Sequence, residues 1–72
     1  MKKVTFVTTT LTYANKGSDI LQAGGITALV KRVQSTAASG CLFGITVASN
    51  DAKEAEAALE RNQIKIISVR DD

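Results

Sequence analysis

The stretch Lys3-Val4-Thr5-Phe6-Val7-Thr8-Thr9-Thr10, running on through a helical segment to Ala23-Gly24-Gly25-Ile26, decides the fold. Lys3 to Val7 is apolar and β-branched at alternate places, which is strand patterning. The hydroxyls of Thr8, Thr9 and Thr10 then offer a cap for a helix N-terminus. From there to Ala23, the residues Ala14, Gly17, Ser18 and Leu21 follow the i, i+3, i+4, i+7 spacing of a buried helix stripe, flanked by Tyr13 and Ile20. Glycine inside a helix costs about 1 kcal/mol relative to alanine, so Gly17 marks a place where the helix lies close against a sheet. Gly24-Gly25 ends the helix, because glycine accepts the left-handed backbone found past a C-cap.

The second half repeats this grammar. Ile26 to Val33 reads as a strand, with Ile26, Ala28 and Val30 on one face and Thr27, Leu29 and Lys31 on the other. Gln34 to Gly40 is small and polar and reads as a loop. Cys41 to Ala48 is a third strand. Asn50 is placed to cap a second helix, with Asp51 and Glu54 in its first turn where the dipole favours acid. Ala52, Ala55, Ala58 and Leu59 form its apolar stripe, Asn62 stops it, and Ile64 to Val69 is the fourth strand. Proline is absent, so glycine, asparagine and serine carry all the punctuation.

The order is therefore βαββαβ in one α+β domain spanning residues 1–72. With right-handed crossovers, this order predicts the ferredoxin-like sandwich. Four antiparallel strands lie in the order 4-1-3-2, with both helices on one face. A domain of this size buries only about 60% of the surface its unfolded chain exposes. Hydrophobic residues make up 44% of the chain, including ten alanines, against two Phe and one Tyr. The core must be aliphatic and closely packed.

Composition removes whole classes of function. Histidine is absent and Cys41 is the only cysteine, so neither a four-ligand zinc site nor an internal disulfide can be built, and no cofactor motif is visible. No histidine base exists for a hydrolytic triad, which points to a carrier or binding domain rather than an enzyme. No apolar run approaches a membrane span, and Met1-Lys2-Lys3 leads into a strand, not a signal-peptide core. A cytoplasmic, reducing setting is expected. A net charge of +2 with no basic run longer than two residues does not call for nucleic acid. Phe6 and Phe43 are the only candidates for a base-stacking platform, and in so aromatic-poor a core they are expected inside. The segment after the first strand, Thr8-Thr9-Thr10-Leu11, lacks the paired cysteines that a metallochaperone of this fold would need there.

The topology sets the neighbours of Cys41. The start of the third strand should lie beside the end of the first, near Thr8, Thr9 and Thr10 at a helix N-terminus. The end of the second strand, Lys31 and Arg32, should lie on the other side. Free N–H groups and positive charge both favour thiolate over thiol. Ser39-Gly40 would help present the sulfur to a partner. The plainer reading stands beside this one: a lone strand cysteine is ordinarily a small buried hydrophobe, the threonines a cap, and Lys31 and Arg32 a solvated strand end.

The segment Ser39-Gly40-Cys41-Leu42-Phe43-Gly44-Ile45-Thr46-Val47 resembles the signature of the selenium/sulfur carrier-like family, a small bacterial family. Thr5-Phe6 followed by hydroxyl residues, the helix ending before Gly25-Ile26, and Asn62-Gln63-Ile64 are similar too, so the resemblance extends over nearly the whole chain. It implies that Cys41 is the sulfur- or selenium-bearing residue. It further implies donor and acceptor proteins as partners. One departure is Leu42, where the family usually has glycine; leucine restricts the backbone and crowds the sulfur.

Two functions follow. In the first, Cys41 accepts a sulfur or selenium atom as a persulfide or selenosulfide and passes it on by exchange. In the second, the domain is a non-catalytic binding or oligomerisation module with a structural cysteine. Thr27 and Leu29, together with Lys65, Ile67 and Val69 if Ile64 and Ile66 face the helices, would form an exposed apolar sheet face. That face, and the open edges of the second and fourth strands, predict a homodimer.

Overall fold

The computed structural model describes residues 2–33 and 42–71. The strands are β1 (Lys3–Thr8), β2 (Leu29–Val33), β3 (Leu42–Ala48) and β4 (Ser68–Asp71). Helix α1 (Leu11–Ala23) follows β1, and α2 (Ala52–Arg61) follows β3 through a 3₁₀ turn at Ser49–Asp51. The sheet order is β2-β3-β1-β4, and all three pairings are antiparallel. This is the expected α+β, ferredoxin-like βαββαβ arrangement. Among the described residues, no helix is long and apolar enough to cross a membrane.

Helix α1 forms where the threonines place it. Thr10 is the N-cap, extended at φ −135°, and its side chain accepts the Tyr13 N–H. Ala14, Gly17, Ser18 and Leu21 are its buried residues, the full predicted stripe. Gly17 sits where a Cβ would come within 2.6 Å of Ile45 Cδ1 and 2.9 Å of Leu59 Cδ2. The two helices and the central strand therefore meet at that point. The chain leaves α1 through Gly25, which holds the positive φ of 85°. The core between helices and sheet is aliphatic apart from Phe6, with Ile45, Val47, Leu21, Leu59 and Ile64 among its members. Phe43 is half-buried and packs against the same cluster, so both phenylalanines face the helices.

Three boundaries differ from the sequence expectation. The β2 ladder begins at Leu29, because Ile26 and Ala28 are buried ahead of it as part of the turn out of α1. Asn50 does not cap α2; it lies inside the 3₁₀ turn, and Asp51 at the cap position makes no side-chain cap hydrogen bond. At the C-terminal end α2 stops at Asn62 as expected, and Gln63 after it takes the left-handed conformation, at φ 61°. The fourth strand begins at Ser68, not Ile64. Ile64 and Ile66 pack against the core, so the chain between Gln63 and β4 serves as a hydrophobic strap under α2.

The late start of β4 shifts its side chains. Ser68 is the ladder partner of Val7, while the Ile67 N–H also bonds the Val7 carbonyl, at 2.9 Å. Two consecutive residues thus address one, and the alternation slips by a position, as at a bulge. Val69 consequently pairs with Phe6 and returns to the helix side. It does not join Ile67 on a common open face.

The centre of the face away from the helices is buried as well. Thr5 and Thr46 share a hydroxyl–hydroxyl hydrogen bond of 2.8 Å there. Gly44 lies under the Thr5 and Val33 methyls, at 2.5 and 2.8 Å from where a Cβ would stand. Val7 is buried beside them. Exposed apolar surface is therefore peripheral. Leu29 on β2, Ile67 before β4 and Val69 on β4 are 62%, 44% and 51% exposed. The broad apolar sheet face expected from the sequence is not formed by the described residues.

Candidate functional site at the β1–α1 junction

The register fixes one row of residues across the top of the sheet. Thr8 at the end of β1 is opposite Phe43 on β3, and Phe43 is opposite Arg32 on β2. All three lie on the helix side, because Phe6, two residues before Thr8, and Ile45, two residues after Phe43, belong to the helix-side core. The chain order alone predicts this meeting of strand ends.

The hydroxyls here are organised by the helix start. Thr8 is fully buried. Its hydroxyl lies 3.1 Å from the Thr10 carbonyl and 3.4 Å from that of Phe43. One proton serves both acceptors, so Thr8 ties the α1 cap to the start of β3. The Thr10 carbonyl also accepts the Ala14 N–H at 3.1 Å, the first bond of the helix. Tyr13 N–H is taken by the Thr10 side chain at 3.1 Å. The N–H groups of Leu11 and Thr12 precede any intrahelical acceptor. The first turn of α1 contains no acidic residue, so no side chain of that turn offsets its positive end. Thr9 is exposed and takes no part in the cap.

The basic pair divides. Lys31 is opposite Gly44 and Arg32 opposite Phe43, so they project from opposite faces of β2. Arg32 alone shares the face of Thr8 and Phe43. The expectation that both cations flank one point is corrected by the simple alternation of a strand. Cys41, Ser39 and Gly40 lie outside the described residues. Leu42, to which Cys41 is peptide-bonded, is the first residue of β3 and pairs with Val33.

Sequence reasoning did not find a second feature, a groove of about 230 Å³ between α2 and β4. Ile64, Ile66 and Val69 form its apolar lining, and Glu56 and Glu60 its acidic one. The signal was present in the i, i+4 spacing of two glutamates on the helix. Its apolar half depends on the slipped register that brings Val69 to this side.

No protein-family model matches the chain, and no curated protein matches it. The likeness to the selenium/sulfur carrier-like family therefore rests on the residues that carry it.

Proposed function

We propose that this domain is a sulfur or selenium carrier of the selenium/sulfur carrier-like type, with Cys41 as the acceptor. The Cys41 thiolate attacks the terminal sulfur of a donor persulfide. The new bond joins Cys41 Sγ to that sulfur, and the donor leaves as a thiolate. Attack by an acceptor thiolate on the carried atom completes the exchange and returns Cys41. With selenium, the intermediate is a selenosulfide. A donor and an acceptor protein are the partners this chemistry requires.

The observation that carries the reading is the row Arg32–Phe43–Thr8 two residues beyond Cys41, next to a helix N-terminus with no acidic residue in its first turn. A thiolate near that row would meet N–H groups and a guanidinium, both of which stabilise its charge. Leu42 is half-buried in the β3 ladder. It acts here as a strand residue, in the place where the family carries glycine.

Intact-mass measurement after incubation with a low-molecular-weight persulfide tests the proposal. The expected result is an adduct of about 32 Da, or about 80 Da with a selenium donor, that a thiol removes. The adduct should be absent in Cys41→Ser. An unmodified wild-type mass under conditions that persulfidate free cysteine would overturn it.

The second reading is the non-catalytic binding or oligomerisation module. It is favoured by exposed apolar residues at both sheet edges, Leu29 on β2 and Val69 on β4. The two readings part at Cys41, which is the acceptor in the first and a structural residue in the second.

A further inference from the structure

Among the described residues β2 and β4 are the two edge strands of the sheet, and they are complementary to each other. β2 and β1 both run antiparallel to β3, and β4 runs antiparallel to β1. β4 is therefore antiparallel to β2. A second copy placed beside the first in the same orientation brings its β2 against β4 as the next antiparallel strand, with all helices still on one side.

The side chains agree with this placement. On the helix side β4 offers Val69, beside the groove lined by Glu56 and Glu60. On the same side β2 offers Val30 and Arg32, since Val30 is opposite Ile45 and packs against the core. Setting Val69 opposite Val30 carries Arg32 of one copy past the slip at Ile67 and Ser68 of the other, towards Ile66 on the side of Glu60. The same register sets Arg70 opposite Leu29. Moving it by two residues would face Arg70 with Lys31, two like charges in direct opposition. Glu56 and Glu60 are a like-charge i, i+4 pair, a mildly unfavourable arrangement in an isolated helix. Among the described residues neither forms an ion pair. An incoming cation removes that repulsion.

The geometry points to head-to-tail self-association, in which β2 of one copy adds to the β4 edge of another and Arg32 meets the Glu56–Glu60 groove. The occupant is a second copy of this chain, and the contact does not depend on Cys41 or on the carrier reading. It is heterologous, so each addition leaves one β2 and one β4 edge free and growth does not stop at two. Four ladder positions make a small interface, so association is weak and driven by concentration.

Sedimentation velocity over a wide concentration range, under reductant so that Cys41 cannot cross-link, tests this. The average mass of the wild type should climb past two copies. Arg32→Glu and Glu60→Lys, both at exposed positions, should each raise the apparent dissociation constant about tenfold, as reversal of a close charge pair predicts. The double variant Arg32→Glu/Glu60→Lys should restore association, which a simple folding defect could not do. Circular dichroism confirms that each variant is folded. A wild type that stays monomeric throughout would overturn the inference. So would a plateau at two copies indifferent to both charge reversals, which would mean a closed dimer on another surface.

Discussion

Gly17 and Gly44 are the positions where one added carbon decides most. At Gly17 a methyl would bring about 1 kcal/mol of helix propensity. It would also press on Ile45 Cδ1 at 2.6 Å and Leu59 Cδ2 at 2.9 Å, both fully buried side chains with little room to yield. Overpacking of a tight core costs about 1–3 kcal/mol, so it outweighs the gain. Gly17→Ala should lower the urea midpoint, and a raised midpoint would show that the helix has slack against the sheet. Gly44→Ala should be worse. The about 0.5–1 kcal/mol that glycine costs in a strand is offset by a closer clash, since its Cβ would stand 2.5 Å from the Thr5 methyl and 2.8 Å from that of Val33. Gly17 was legible as a packing glycine because it breaks an otherwise good helix. Gly44 was not, since its role depends on which residues β1 and β2 set beside it.

Helix α2 is held by few contacts, and their weights are unequal. Leu59 is its one large fully buried side chain, whereas Glu56 and Glu60 are exposed. Leu59→Ala should cost about 2–5 kcal/mol, against no more than about 0.5 for Glu56→Ala. Equal denaturation midpoints for the two would contradict the helix phase. The exit from α2 supplies a stabilising change. Gln63 holds φ 61°, a conformation that costs a residue with a Cβ about 1–2 kcal/mol. Gln63→Gly removes that cost and loses some of it again to the freer unfolded chain. A net gain of roughly 0.5 kcal/mol is expected, and a clear fall in melting temperature would contradict it. Helix stripes were readable because an apolar face repeats over several turns. The fourth strand was not, because Ile64 and Ile66 carry strand-like alternation while serving as core residues of a strap. One-residue slips of this kind leave no trace in hydropathy.

At the scale of the whole molecule, the element order alone predicts which chain ends meet. Thr8, Phe43 and Arg32 are brought together as the βαββαβ order requires. Periodicity also contained the division of Lys31 from Arg32, since neighbours on a strand face opposite ways. The closeness of the two basic residues in sequence obscured it. The groove under Glu56 and Glu60 stayed hidden because it is made by α2 and the slipped β4 jointly. A thiol at Cys41 would meet two opposing influences. Under the proposed carrier role, proximity to the α1 N-terminus and Arg32 would favour the thiolate, and burial against Leu42 and Phe43 would favour the neutral thiol. The proposed carrier role requires the first to win. The most direct test is the rate of Cys41 alkylation by iodoacetamide as a function of pH. The expected midpoint lies below the value of about 8.5 for a free cysteine, moving up in Arg32→Gln and less in Lys31→Gln. A midpoint at or above that value, or no labelling without denaturant, would contradict it and leave Cys41 a packed residue of a binding domain.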